Sequence, residues 1–111
     1  MGRASRPHPT RLAGKLKHIR HALGLSQDGM LERLGLTGIK GMFRSSISGY
    51  EQGNREPPLG VLLAYARAAN VYVDALIDDE LNLPSDLPAK RKSKGTKRTR
   101  RKPYQYPFDD D

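Results

Sequence analysis

Two short amphipathic segments constrain the fold of this chain more than any other feature. In residues 23–35, LGLSQDGMLERLG, Ser26 can cap a helix whose apolar positions fall on one side. In residues 44–58, RSSISGYEQGNREPP, Ile47 and Tyr50 recur at a helical spacing of three residues. Each segment predicts a short helix with a buried edge. The second also keeps an edge of hydrogen-bonding side chains, formed by Arg44, Ser45, Ser46 and Ser48.

Three further helices are predicted around this pair. Leucine and isoleucine recur at helical intervals within residues 10–24, which predicts the first helix. Pro57 and Pro58 can begin another helix, over residues 59–70, because the first turn of a helix needs no backbone donor. The last helix is expected over residues 73–81. We therefore expect an all-α domain of five helices within residues 10–83, preceded by a flexible arm, residues 1–9.

The order of these landmarks resembles the Xre, or lambda-repressor-like, family of helix-turn-helix regulators, over roughly residues 10–82. The resemblance implies that the third helix, residues 45–52, reads the major groove of double-stranded DNA, and that Arg20 and Glu51 form a structural ion pair. The matching positions are Lys15, Leu16, Ile19 and Arg20; residues 24–27 and 35–37; Ile47, Ser48, Tyr50, Glu51 and Gly53; Arg55 and Pro57; and Leu59, Leu62, Ala66 and residues 71–76.

The chain departs from this family at one place. Nine residues, 38–46, separate Thr37 from Ile47, where a turn of about three residues is usual, so about six residues are extra. Residues 38–43 hold two glycines and predict a loop or a bent extension. We expect the apolar side chains of this insert, Ile39, Met42 and Phe43, to tuck against the domain.

The resemblance places DNA contacts on the second helix, on the third helix and in the loop after it. Gln27 opens the second helix, where it can meet a phosphate or act as a plain capping residue. Arginine can pair with guanine through O6 and N7, whereas serine contacts any base weakly, and Gly49 on the same side adds no side chain. The insert leaves open whether Arg44 lies on the helix or in a loop. The candidate DNA contacts are Gln27, Lys40, Arg44, Ser45, Ser46, Ser48 and Arg55.

Charge is segregated along the chain, within a net charge of +8. Residues 1–44 hold nine Lys or Arg against two acids, residues 45–88 two against seven, and residues 89–111 nine against three. A domain with a basic and an acidic half has a preferred side for a polyanion. Residues 84–111 show no apolar periodicity and predict a disordered basic tail. This tail could bind DNA phosphates or another polyanion such as RNA, and Tyr104, Tyr106 and Phe108 could dock a protein partner.

Several classes of protein are disfavoured by composition. The chain has no cysteine, which excludes disulfides and thiolate zinc sites, and His18 and His21 have no carboxylate near them on their helix. We find no Ser-His-Asp arrangement and no glycine-rich phosphate loop. No apolar run approaches the roughly 20 residues of a membrane helix. We therefore expect a cytoplasmic protein without a catalytic site, metal or cofactor.

These observations together predict a transcriptional regulator that binds double-stranded DNA and acts as a repressor. Two alternatives remain open: an antitoxin-like module that binds a protein partner, and an RNA-binding protein driven by the basic tail. A homodimer is expected because the last helix and the residues after it carry more apolar side chains than one domain is expected to bury. These are Val71, Tyr72, Val73, Leu76, Ile77, Leu81 and Leu83.

Overall fold

The computed structural model describes residues 9–97, which form five helices and a small antiparallel sheet. The helices are α1 (Leu12–Ala22), α2 (Gln27–Arg33), α3 (Arg44–Gln52), α4 (Leu59–Ala69) and α5 (Asp74–Ile77); the strands are β1 (Leu81–Asn82) and β2 (Thr96–Lys97). The prediction of a mainly helical, five-helix domain is confirmed. Most of the predicted arm and the end of the tail, including the docking segment at residues 104–108, lie outside the described residues.

The helix ends follow from local side-chain and backbone chemistry. Ser26 caps α2, since its Oγ accepts a hydrogen bond from the Gly29 N–H at 3.0 Å. Gly53 ends α3 in the left-handed region, at a φ of 77°, which favours glycine. The last helix is shorter than predicted, because the backbone becomes extended at Asp78. The residues after Asp78 instead contact the start of α1.

Asp79 supplies the cap that α1 lacks at its own N-terminus. Its carboxylate accepts hydrogen bonds from the backbone N–H groups of Thr10 at 2.9 Å and Arg11 at 3.1 Å. The bond from Thr10 is the main reason that the pKa of Asp79 is lowered. Arg11 then donates to the carbonyl of Asp79 at 2.6 Å and to the side chain of Asn82 at 2.6 Å. The start of α1 is thus fastened to the segment that follows α5.

The core lies where α1 meets the other helices. Helix α1 contacts α3, α4 and α5, and α2 packs against α3. Burial of one large apolar side chain stabilises a fold by about 1.5–3 kcal/mol, so a few such residues dominate the packing. The large apolar side chains buried most completely are Leu16, Ile19, Met30, Ile47, Tyr65, Val71 and Leu76.

Residues 84–97, which we call the strap, pack on the domain and correct the expectation of a disordered tail from residue 84. The Ala89 N–H donates to the Ala69 carbonyl at 2.9 Å, and the Asn70 side chain donates to the Ala89 carbonyl at 2.6 Å. The Tyr72 N–H donates to the Ser93 carbonyl at 2.8 Å, and β2 pairs with β1. Backbone hydrogen bonds help to hold this segment. Every residue except proline can form such bonds, so the segment needs no apolar periodicity and its sequence does not predict them.

The strap also changes the expectation for the apolar residues assigned to a dimer. Val71 and Leu76 are fully buried within the domain, and Val73 and Leu83 pack against its core. Among the apolar residues that were expected to form the dimer surface, Tyr72 and Ile77 are exposed. The domain therefore buries more of this set than the sequence predicts.

Candidate nucleic-acid interface

Helix α3 has one side in the core and one side in solvent. Ser46, Ile47, Tyr50 and Glu51 are buried. The opposite side, which we call the outward face, consists of Arg44, Ser45, Ser48 and Gln52. This division follows the helical period, because positions four residues apart lie on one side of a helix.

An ion pair fixes the angle at which α3 meets α1. Arg20 Nε lies 2.7 Å from Glu51 Oε2, and Arg20 Nη2 lies 3.0 Å from Glu51 Oε1. Both side chains are shielded, with 13% of Arg20 and 3% of Glu51 exposed. The hydrogen bond with Glu51 raises the pKa of Arg20. The predicted structural pair is therefore confirmed, and it leaves the outward face free for other contacts.

Arg44 is the first residue of α3. It therefore lies on the helix and not in the loop, the two positions that the sequence had left open. Its guanidinium lies 3.8 Å from the Asp28 carboxylate, and both side chains are about two-thirds exposed. An exposed pair of this kind contributes about 0–1 kcal/mol. The pair with Asp28 therefore does not prevent Arg44 from making a stronger contact to another group.

Ser46 is fully buried, so its assignment as a DNA contact is corrected. Its Oγ accepts a hydrogen bond from the Phe43 N–H at 3.1 Å, and its hydroxyl donates to the Gly41 carbonyl at 3.5 Å. Arg55 Nη1 donates to the same Oγ at 3.3 Å. The hydroxyl thus ties the insert, the start of α3 and the loop after α3 together, a role that the helical pattern alone did not indicate.

Arg55 lies across α3 on top of Gly49. A Cβ built on Gly49 would lie 2.9 Å from Arg55 Cδ and 3.0 Å from Arg55 Cγ, so the missing side chain makes room for the arginine stem. The guanidinium carbon lies 5.9 Å from the centre of the Tyr50 ring. The sequence predicted that Gly49 lies on the same side as the candidate DNA contacts. Gly49 is instead buried under Arg55 and is not part of the outward face.

The insert, residues 38–43, forms two consecutive turns before α3. The Ile39 N–H donates to the Leu36 carbonyl at 3.1 Å, and the Met42 N–H donates to the Ile39 carbonyl at 3.0 Å. Met42 packs against the core, but 51% of Ile39 and 63% of Phe43 are exposed. The expectation that all three side chains tuck inward is therefore wrong for Ile39 and Phe43, because the hydrogen bonds of the turns and of the Ser46 hydroxyl hold the insert without their burial.

A family model described as a helix-turn-helix domain matches residues 11–79, more than half of the chain. The chain belongs to this helix-turn-helix family. Membership is consistent with the resemblance to Xre-type regulators and supports a DNA-binding regulator as the general class of the protein. Comparisons with curated proteins and with solved structures gave no match.

The remaining candidate contacts of this helix-turn-helix domain occupy unequal positions. Gln27 is half-buried at the start of α2, and its side chain donates to Glu51 Oε1 at 3.4 Å. Lys40 is exposed in the insert, and Ser45 is exposed on α3. Ser48 is half-buried and accepts a hydrogen bond from Gln52 Nε2 at 3.0 Å. Their roles as DNA contacts stay predictions.

Gln52 is a residue of the outward face that the sequence analysis missed. It is exposed, and its Oε1 accepts a hydrogen bond from the Asn54 side chain at 3.0 Å. Its position eight residues after Arg44 and four after Ser48 could have identified it, because these spacings return to one side of a helix. A glutamine amide can donate and accept at the N6 and N7 atoms of adenine.

Across residues 9–97, His, Asp and Glu side chains do not gather in any group of three or more that could hold a metal ion. None of the helices in that range is both long enough and apolar enough to cross a bilayer.

Proposed function

We propose that this helix-turn-helix domain is a cytoplasmic, sequence-specific DNA-binding protein that represses transcription, and that it is not an enzyme. The observation that carries the proposal is the outward face of α3. Its polar side chains are grouped on one side of a helix that the Arg20–Glu51 pair holds at a fixed angle. A major groove admits such a helix.

The N-terminal end of a recognition helix is the part that reaches base edges. Arg44 lies at that end of α3 and suits guanine, while Gln52 and Ser48 lie further along the same face. Arg55, Lys40 and Gln27 surround this face and suit contacts to phosphates, which position a protein on DNA without specifying sequence. The proposed interface therefore combines a small base-reading set with a wider backbone-binding set.

A homodimer is part of the proposal. Leu59 is 84% exposed at the start of α4, and it borders an apolar hollow of about 460 Å³ shared with Leu62, Val73 and Ile77. A second copy packed over this hollow would bury these side chains and place two α3 helices on a palindromic site. Sedimentation that shows a monomer both free and on DNA would contradict this part of the proposal.

The direct test is selection of bound sequences from a random duplex library, followed by measurement of Arg44→Ala. Enrichment of a motif would support sequence-specific binding. On that motif, Arg44→Ala should lose about 1–3 kcal/mol of affinity and relax the preference at one base, as expected for a guanine contact. Arg67→Ala is the matched control, because it removes an exposed arginine from α4.

Other outcomes of this experiment point to different functions. If the full chain enriches no motif and binds single-stranded RNA more tightly than duplex DNA, the RNA-binding alternative is favoured. If it binds neither nucleic acid, the protein-interaction alternative replaces the proposal. Equal loss on every duplex sequence for Arg44→Ala would assign Arg44 to phosphate rather than to a base.

A further inference from the structure

The insert is built as a defined support rather than as a loose loop. The sequence repeats an apolar-polar-glycine-apolar pattern, as Leu36-Thr37-Gly38-Ile39 and then as Ile39-Lys40-Gly41-Met42. Gly38 and Gly41 both have a φ of 83°, which a turn with glycine at its third position requires. Each turn is closed by the backbone hydrogen bond described above. The two turns therefore carry the chain to α3 along a fixed path.

Two further contacts hold the end of the insert. The Tyr50 hydroxyl lies 3.9 Å from Met42 Sδ, and Met42 packs against the core. The buried Ser46 hydroxyl bonds the Phe43 N–H and the Gly41 carbonyl. Phe43 is consequently anchored through its backbone, in an extended conformation with φ −136° and ψ 172°, while its ring remains exposed.

The exposed Phe43 side chain lies at the N-terminal end of α3, the end of a recognition helix that contacts base edges. Phe43 is the N-cap residue of the helix, directly before Arg44, and Ile39 is exposed in the same insert. Exposed phenylalanine and isoleucine side chains favour contact with an apolar group. Lys40 and Arg44, which are both exposed, flank them with positive charge.

We propose that Phe43, supported by Ile39, contacts the C5-methyl group of thymine in the major groove and selects thymine beside the base that Arg44 contacts. This proposal rests on the proposed DNA-binding function and adds a base preference to it. The thymine methyl is the apolar group that the major groove displays, and phenylalanine is a side chain suited to contact it. The flanking cations favour a polyanion over an apolar protein partner, because phosphates lie beside every base step.

Uracil in place of thymine removes only the methyl group, which makes the test specific. A duplex recovered by selection with the full chain is prepared again with one thymine at a time replaced by uracil, and affinities are measured by fluorescence anisotropy. For the wild-type chain, uracil at one or two positions next to the Arg44-dependent base should weaken binding about fourfold, the factor for burial of one methyl-sized group. Phe43→Ala should bind the parent duplex more weakly by a similar factor and show no further loss at those positions.

Two controls accompany Phe43→Ala. Phe43→Leu keeps an apolar group at the position and should retain most of the response to uracil. Leu63→Ala removes an exposed leucine from α4 and should respond to uracil as the wild type does. Because the Phe43 ring is largely exposed, the alanine variant should unfold at the wild-type temperature, which circular dichroism verifies.

Several results would overturn the inference. A selected motif without thymine next to the Arg44-dependent base excludes it. A full uracil response in Phe43→Ala also excludes it, and so does an unchanged affinity of Phe43→Ala for the parent duplex, since the ring would then contribute nothing to DNA binding. Failure of the wild-type chain to bind any duplex is a separate result, since it rejects the proposed function before any substitution is made.

Discussion

The insert and the strap are two additions to one helix-turn-helix framework, and they are attached in different ways. The insert, residues 38–43, lengthens the turn between α2 and α3 within the matched region, whereas the strap, residues 84–97, follows residue 79, where the family match ends. The insert is held by its own turns, Met42 and the Ser46 hydroxyl. The strap is held by backbone hydrogen bonds to the end of α4, to Tyr72 and to β1, and by Leu87 and Ala89, which pack in or against the core.

The two additions also present different chemistry to solvent. The insert exposes two large apolar side chains beside one lysine. The strap exposes cations, and within the described part of the chain none of them is paired with an acidic side chain: Lys90, Arg91, Lys92, Lys94 and Lys97. An apolar group can distinguish bases, but an exposed cation binds phosphate without regard to sequence. The comparison therefore predicts that the insert affects base preference and that the strap affects the strength of binding.

The largest effect should come from the framework that both additions share. The strap pairs with β1, Arg11 at the start of α1 donates to Asn82 of β1, and the insert leads into α3. The Arg20–Glu51 pair joins α1 to α3 and so lies between the two additions. Glu51→Ala should lower the free energy of unfolding by about 3–5 kcal/mol, because it leaves the shielded Arg20 without its partner. Urea unfolding measures this, with Glu32→Ala as the control, since Glu32 is an exposed glutamate on α2. A stability equal to that of the wild type would mean that the pair does not orient α3.

A second prediction compares a glycine in each addition. Gly95 in the strap and Gly41 in the insert both have positive φ, of 86° and 83°. Alanine should cost about 1–2 kcal/mol at either position for the backbone conformation alone. At Gly95 a Cβ would also collide with the Asn82 carbonyl, whereas at Gly41 nothing lies within 4 Å. Gly95→Ala should therefore destabilise the domain more than Gly41→Ala.

Hydrogen exchange locates this difference. The Tyr72 N–H, which donates to the Ser93 carbonyl, should exchange faster in Gly95→Ala and at the wild-type rate in Gly41→Ala. A wild-type stability for Gly95→Ala, together with unchanged exchange at Tyr72, would show that the strap contributes nothing to the fold. The contrast between the two modes of attachment would then have no energetic basis.

The sequence predicted the framework better than the additions, for physical reasons. Helix positions follow from apolar spacing and from Ser26, Gly53 and the two prolines, all of which act within a few residues. The strap depends on hydrogen bonds between Ala89 and Ala69 and between Tyr72 and Ser93, partners about twenty residues apart whose backbone atoms carry no sequence signal. Composition alone therefore predicts disorder for a segment that packs on the domain.

The candidate site was predicted in part. The outward face follows from the helical period, and the same period would have added Gln52. Ser46 lies four residues before Tyr50, so the same period would also have placed it on the buried side. The burial of Gly49 could not be read in this way, because the Arg55 side chain folds back across α3 to cover it. Exposure of Phe43 was equally hidden, since an apolar residue in a loop is ordinarily expected to pack inward.

The smallest effect of any single substitution is expected for the cations of the strap. These cations should change the salt dependence of DNA affinity without changing base preference, which contrasts them with the insert. Each phosphate neutralised by Lys or Arg makes the logarithm of affinity fall with the logarithm of salt by about 0.9. We expect the triple variant Lys90→Gln, Arg91→Gln and Lys94→Gln to flatten that slope by up to roughly 2.7 units if each cation contacts a phosphate. Lys92 is retained because its ammonium lies 4.6 Å from the centre of the Tyr72 ring, and its loss would disturb packing.

Substitution is preferable to truncation here, because Ala89 is buried and the strap contributes backbone hydrogen bonds. The control Lys17→Gln, Arg33→Gln and Arg67→Gln removes the same charge from exposed positions elsewhere on the domain. Base preference should persist in the strap variant, whereas Phe43→Ala should change preference and leave the slope intact, because a methyl contact releases no counterion. A slope equal to that of the wild type would place the strap away from DNA, and its cations would then serve another partner or solubility.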